Sequence, residues 1–181
     1  MVVKETKLKG CFILQPQVFK DKRGYFIESH NQKAFNDALG LEIDFVQDNE
    51  SQSSKGVLRG LHYQVGDYAQ AKLVRVIKGK VLDVVVDLRP KSPTFGEHLS
   101  VELSDKNKTQ IFIPRGFAHG FLVLEDETIF SYKCDNFYNK EAETGIIYND
   151  EDLGIDWKLS KNELIISNKD LVLPSFKSFK L

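Results

Sequence analysis

The 181-residue chain is predicted to be all-β, a β-barrel or double-sheet jelly roll with one short helix and an edge strand, forming a single domain over residues 1–181. Three observations carry that expectation. Short runs rich in β-branched and aromatic residues recur between turn residues at spacings of about 8 to 12, the rhythm of sandwiches and barrels. One stretch alone has convincing helical periodicity, and neither a low-complexity linker nor a second composition regime interrupts the chain. Finally, a chain of this length can bury roughly 70% of its unfolded surface, so a hydrophobic core suffices without a metal or disulfide staple.

Each element follows from local pattern. Thr6 to Val18 carries Leu8, Cys11, Ile13 and Val18 around Pro16, which predicts a strand at a sheet edge or one paired with another subunit. In FKDKRGYFIE, Asp21 to Gly24 supply turn chemistry and Tyr25 to Ile27 begin the returning strand, so Arg23 and Glu28 flank a hairpin. Asn31 to Leu39 places Ala34, Phe35, Ala38 and Leu39 on one helical face, and Gly40 follows where a helix stops. From Ile43 to Ser51 alternation puts Phe45, Gln47 and Asn49 on one side, with Asp44, Val46 and Asp48 on the other. The runs KLVRVI and VLDVVVDL, joined by Lys78-Gly79-Lys80, are expected to form a hairpin. Pro90, Pro93 and Gly96 mark a loop, after which HLSVEL, KTQIFI, GFLVLE and TIFSYKC continue the series of short strands. A ligand would enter such a barrel at its mouth.

Charge and composition exclude several function classes. Twenty-five basic and 26 acidic residues leave a formal charge of −1, which argues against nucleic-acid binding through phosphate neutralisation. No segment reaches the ~18 apolar residues of a membrane span, and MVVKETKLKGCFIL lacks a cleavable leader pattern. Cys11 and Cys134 are expected to be reduced thiols, so a soluble cytoplasmic protein is predicted.

The chemically capable residues concentrate between Val57 and Leu88, where Arg59, His62, Lys72 and Asp83 all fall. His62-Tyr63-Gln64 lacks the paired histidines of a β-barrel metal site, so no metal is expected. His62 is a candidate general base, because imidazole's ordinary pKa of about 6.5 lies near physiological pH. A base that removes a proton beside a ketone needs a cation at the developing enolate oxygen, and Lys72 shares a strand face with Val74 and Val76. Tyr132, on a face with Phe130 and Thr128, could return a proton, although most such tyrosines only fill cores. Two carboxylates could orient His62. Asp83, between Val81 and Val85, is favoured by spacing, while Asp170 in SNKD reads locally as a turn residue. Arg59 and His62, three apart, should face opposite sides of a regular strand unless Gly60 makes a bulge.

The strings RGLHYQ, QAKLVRVIKGKVLDVVVDLR, SPTFGEH, IPRGFAHGFLVL, YKCDNFY and LGIDW together resemble the dTDP-4-dehydrorhamnose 3,5-epimerase family of deoxysugar biosynthesis, across nearly the whole chain. PRGFAHG also resembles a cupin signature, so the resemblance implies a cupin-type jelly roll. It implies His62 as base, Asp170 as its partner, Lys72 as enolate stabiliser and Tyr132 as acid. Arg23, Glu28, Gln47, Asp48, Asn49, Arg59, His119, Glu143 and Lys169 match positions that bind the nucleotide sugar in this family. Phe19 and Tyr138 are implied at the thymine base, from two subunits. The resemblance further implies a cofactor-free enzyme that works as a homodimer, its amino-terminal strands crossing the interface.

Overall fold

The computed structural model describes residues 1–179. In chain order the strands are β1 (Val2–Glu5), β2 (Phe12–Gln15), β3 (Val18–Asp21), β4 (Gly24–Ile27), β5 (Gln47–Ser53), β6 (Val57–Gln64) and β7 (Lys72–Lys78). They continue with β8 (Lys80–Asp87), β9 (His98–Ser104), β10 (Gln110–Ile113), β11 (Phe117–Val123), β12 (Thr128–Cys134), β13 (Glu143–Gly145) and β14 (Ile165–Ile166). One six-stranded sheet has the order β1-β2-β10-β7-β12-β5, and a second has β13-β6-β11-β8-β9 with β14 parallel to β6. The two sheets bury a shared interior. Val74, Val76, Ile111, Ile113 and Phe130 from the first meet Val81, Val85, Leu103, Phe121 and Val123 from the second. This is the all-β, cupin-like jelly roll that the strand rhythm predicts.

The predicted helix is present as α1 (Gln32–Leu39): the Asn31 side chain accepts from the Ala34 N–H, and Gly40 ends it in the left-handed region at φ 65°. Its Phe35 seals the outer face of the first sheet against Leu14, Leu73 and Phe112. A second short helix, α2 (Asn168–Leu171), was not expected, because four residues carry no readable period. The segment Thr6 to Val18 is also not one strand. A Thr6–Gly10 turn and Pro16 divide it, so β2 lies inside the sheet and β1 takes the edge. The hairpin of β3 and β4 is as expected and forms a separate two-stranded ribbon.

The expected hairpin across Lys78-Gly79-Lys80 does not exist. β7 pairs with β10 and β12, whereas β8 pairs with β11 and β9, so the single Gly79 carries the chain from one sheet to the other. A residue with a Cβ would meet Thr128 Oγ1 at 2.3 Å there, and φ is +83°. Burial explains the separation. Every residue of β8 after Lys80 is buried, with Leu82, Val84 and Val86 on the outer face packed under Ile146, Tyr148, Leu153 and Trp157. β8 therefore needs a sheet covered on both sides, which β7, with Arg75 and Lys78 outward, does not. Cys11 and Cys134 are buried and unpaired. Among the described residues no helix is long and apolar enough to cross a membrane.

Candidate active site

A cleft of about 650 Å³ opens between the sheets, lined by Asn49, Ser51, Arg59, His62, Lys72, His119, Phe121, Tyr132, Lys169 and Asp170 among others. Its walls differ in origin. Asn49, Lys72 and Tyr132 project from β5, β7 and β12 of the first sheet, whereas Arg59, His62 and His119 project from β6 and β11 of the second. Arg59 and His62 share the cleft despite their odd spacing, because the β6–β11 register shifts between His119 and Phe121 where Gly60 has φ +117°. A Cβ on Gly60 would lie 2.6 Å from Gly120 Cα, so the two strands approach only because both positions are glycine.

His62 Nε2 lies 2.7 Å from Asp170 Oδ1, and that carboxylate is 3% exposed. Asp170 arrives from a distant part of the sequence on α2, where Ser167 caps the helix by accepting from the Asp170 N–H at 3.1 Å, and Asp170 Oδ2 accepts from the Gly60 N–H at 3.3 Å. Burial opposes the Asp170 charge, but the His62, Gly60 and Ser167 contacts outweigh it and hold the carboxyl below its ordinary value. An ionised carboxylate only accepts, so His62 carries its proton on Nε2 and leaves Nδ1 basic. Spacing favoured Asp83 as this partner, and the structure corrects it: Asp83 Oδ2 lies 2.8 Å from His119 Nε2 instead.

On the facing wall, burial lowers the Lys72 ammonium from its ordinary range, opposed by the acidic groups of Cys134, Glu143 and, least, Asp83. Lys72 Nζ sits 5.8 Å from the Tyr132 ring centroid, and burial raises the Tyr132 phenol, keeping it protonated. The site can therefore present a base from one side and an O–H donor from the other, with a cation beside the donor.

Gln47, Tyr138 and Glu143 line an adjoining recess that shares Asn49, His62, Lys72 and Tyr132 with the cleft. Gln47 Nε2 donates to Asn49 Oδ1 at 3.0 Å and its Oε1 accepts from the Tyr138 N–H at 2.9 Å, so the two inward amides satisfy each other and the loop. Glu143 pairs with Lys169 and accepts from the Tyr138 hydroxyl at 2.9 Å. Four expected residues are not brought to the cleft of this chain. Asp48 points outward from β5 and binds Lys133 at 2.8 Å, as strand parity requires, so it does not face this cleft. Arg23 is held by Asp21 on the exposed ribbon, where Phe19 also lies, and Glu28 borders a different recess near Phe35. Conversely, Ser51, Phe121 and Ser167 line the cleft without having been singled out. Ser51 was legible from parity, two residues beyond Asn49.

Comparison with known proteins decides the family. The family model described as dTDP-4-dehydrorhamnose 3,5-epimerase matches residues 5–178. The chain belongs to the dTDP-4-dehydrorhamnose 3,5-epimerase family. It is 54% identical over 170 residues to the protein of that name from Escherichia coli K12, covering 94% of this chain and 91% of the relative. The crystal structure of the Elizabethkingia anophelis epimerase is 56% identical with a TM-score of 0.94, covering 98% of this chain and 97% of that one. A Legionella pneumophila dTDP-6-deoxy-D-glucose-3,5-epimerase, solved with dTDP-4-keto-L-rhamnose, is 45% identical with a TM-score of 0.94, covering 99% and 94%. Among the described residues, no three His, Cys, Asp or Glu side chains converge as a metal-ligand set.

Proposed function

We propose that this epimerase-family chain inverts C3 and C5 of dTDP-4-keto-6-deoxy-D-glucose, giving dTDP-4-keto-L-rhamnose by enolisation. The observation that carries the reading is the opposition of His62 and Tyr132 across one cleft, each on a different sheet. Both carbons flank the C4 ketone, so one base and one enolate-stabilising cation can serve both. His62 Nδ1 takes the proton from carbon, the electron pair moves into the carbonyl, and Lys72 stabilises the resulting oxyanion. Tyr132 then delivers its proton to the opposite face, which inverts the centre; exchange with solvent restores His62 and Tyr132. Asp170 keeps His62 in the productive tautomer.

Arg59, Lys169, Asn49, Gln47, His119, Glu143 and Tyr138 bind the nucleotide sugar in this reading. The diphosphate's charge suits Arg59 and Lys169, and remote binding of this kind fixes the ketone against Lys72. Arg23, Glu28 and Phe19 act in the cleft of a second copy, as part of a homodimer. That assignment rests on the ribbon of β3 and β4, whose Phe19, Tyr25 and Phe26 are 53%, 54% and 69% exposed. The test is proton NMR of dTDP-4-keto-6-deoxyglucose with the enzyme in deuterated water. Deuterium is expected at both C3 and C5; incorporation at one centre reduces the activity to a single epimerisation, and incorporation at neither overturns the substrate.

A further inference from the structure

Asp83 is the feature that the reaction above leaves unused. Its side chain is fully buried among Val81, Val85 and Phe121 of the apolar interior. Oδ2 is engaged by His119, but among the described residues Oδ1 has no hydrogen-bond partner. A carboxylate in such surroundings is costly, and an apolar residue of similar size would pack there at less cost. Alternation along β8 turns it toward the same interior as Lys72, which ends the Val74 and Val76 stripe on the facing sheet.

The other groups around Lys72 are already committed or neutral. Tyr132 and Cys134 come from β12, with the Cys134 thiol pushed up to about 11 by burial and so uncharged at neutral pH. β5 contributes Asn49 and β10 the apolar Ile113, while β6 and β11 contribute His62 and His119. Of the carboxylates, Glu143 on β13 is tied to Lys169 and Tyr138, and Asp170 to His62. Of these carboxylates, Asp83 is the one with a buried oxygen that has no described partner.

We propose that Asp83 is a positioning residue of the epimerase cleft, orienting His119 and supplying the counter-charge that keeps Lys72 an ammonium. The inference rests on the enolisation reading for its consequence, though not for the charge coupling itself. Asp83 accepts the Nε2 proton of His119, so His119 presents Nδ1 elsewhere, while the negative charge behind the cleft favours the cation that meets the enolate oxygen. Asp83→Asn removes the charge and retains the shape.

Two readouts test it. In substrate-free protein labelled with ¹⁵N-lysine, the Lys72 resonance, assigned by its loss in Lys72→Met, is expected to titrate at a lower pH in Asp83→Asn, because the charge that favours the ammonium in the shared interior has gone. The alkaline limb of the deuterium-exchange rate is expected to move down with it, and KM to rise as His119 loses its orienting carboxylate. If Asp83→Asn folds poorly, the double variant Lys72→Met/Asp83→Asn is expected to recover Tm, because the lysine it strands has gone. An unchanged Lys72 titration, or a Tm loss that Lys72→Met does not relieve, overturns the inference. Absence of exchange in the wild-type enzyme would instead remove the epimerase reading and leave the lysine titration to be judged by itself.

Discussion

Replacing Asp170 by asparagine isolates the role of the carboxylate behind His62. The side chain is 3% exposed and almost isosteric with its replacement, so the fold should accommodate it. Its carbonyl oxygen can keep the Gly60 N–H contact, but the amide NH₂ must then face His62 Nε2, 2.7 Å away in the wild type. A donor there forces the imidazole proton onto Nδ1, and the basic lone pair turns away from the cleft. A positioned general base contributes roughly 10²–10⁴ in rate, and a carboxylate-to-amide change behind a catalytic histidine costs about 10⁴ in another enzyme class. The expected loss in kcat is therefore about 10³–10⁴, or roughly 4–5.5 kcal/mol in the barrier. Initial rates of deuterium incorporation at C3 and C5 measure it, with KM from substrate dependence. A kcat within tenfold of wild type, or a loss confined to KM, would refute the reasoning. The linkage has a definite sign as well: because the Asp170 carboxyl is held below its ordinary value, its stabilising contribution is complete above the unfolded carboxylate pKa and fades as pH falls through the folded one. The stability gap between wild type and variant should thus be widest near neutrality.

Further outcomes follow from other groups. Tyr132→Phe removes the proton donor but leaves His62 and Lys72, so deuterium should still enter the substrate by return through the same face while the inverted product falls by 10²-fold or more; inversion at the wild-type rate would exclude Tyr132 as the acid. Asp87 is buried, yet Arg89, Ser92 and Thr94 overcome that burial and lower its carboxyl to about 2. Asp87→Asn should therefore cost about 2 kcal/mol at pH 7, with the deficit shrinking as pH falls from the unfolded value of about 4 through 2, measured by denaturant melts across that range. Gly60→Ala places a Cβ 2.7 Å from the His119 carbonyl oxygen at φ +117° and should cost roughly 2–5 kcal/mol, read as a lowered Tm together with lost activity. Sedimentation should give a dimer, and Phe26→Asp on the exposed ribbon should weaken it; a wild-type monomer would count against the two-subunit cleft.

Strand alternation was sufficient for much of the cleft. Period two placed Gln47 and Asn49 together, aligned Lys72 with Val74, and set Tyr132 beside Phe130, because neighbouring side chains on a strand must point to opposite faces. The same rule put Asp48 outside, against the family-level expectation, and the structure agrees with the rule. Periodicity also placed α1 and the Gly40 that ends it, while Asn31, read as the first residue of the helix, caps it instead.

What alternation cannot do is pair strands or close long loops. Nothing local distinguishes a hairpin at Gly79 from a crossing between sheets; that choice depends on the burial of both faces of β8, a property of the finished core. Nor does any short spacing couple His62 to Asp170 rather than to Asp83. The sequence by itself determined the all-β class, the family and the chemical kinds of side chain available. Tertiary structure alone decided which acid meets which histidine, because the β6–β11 register shift and the docking of α2 against β6 bring together residues that the chain holds far apart.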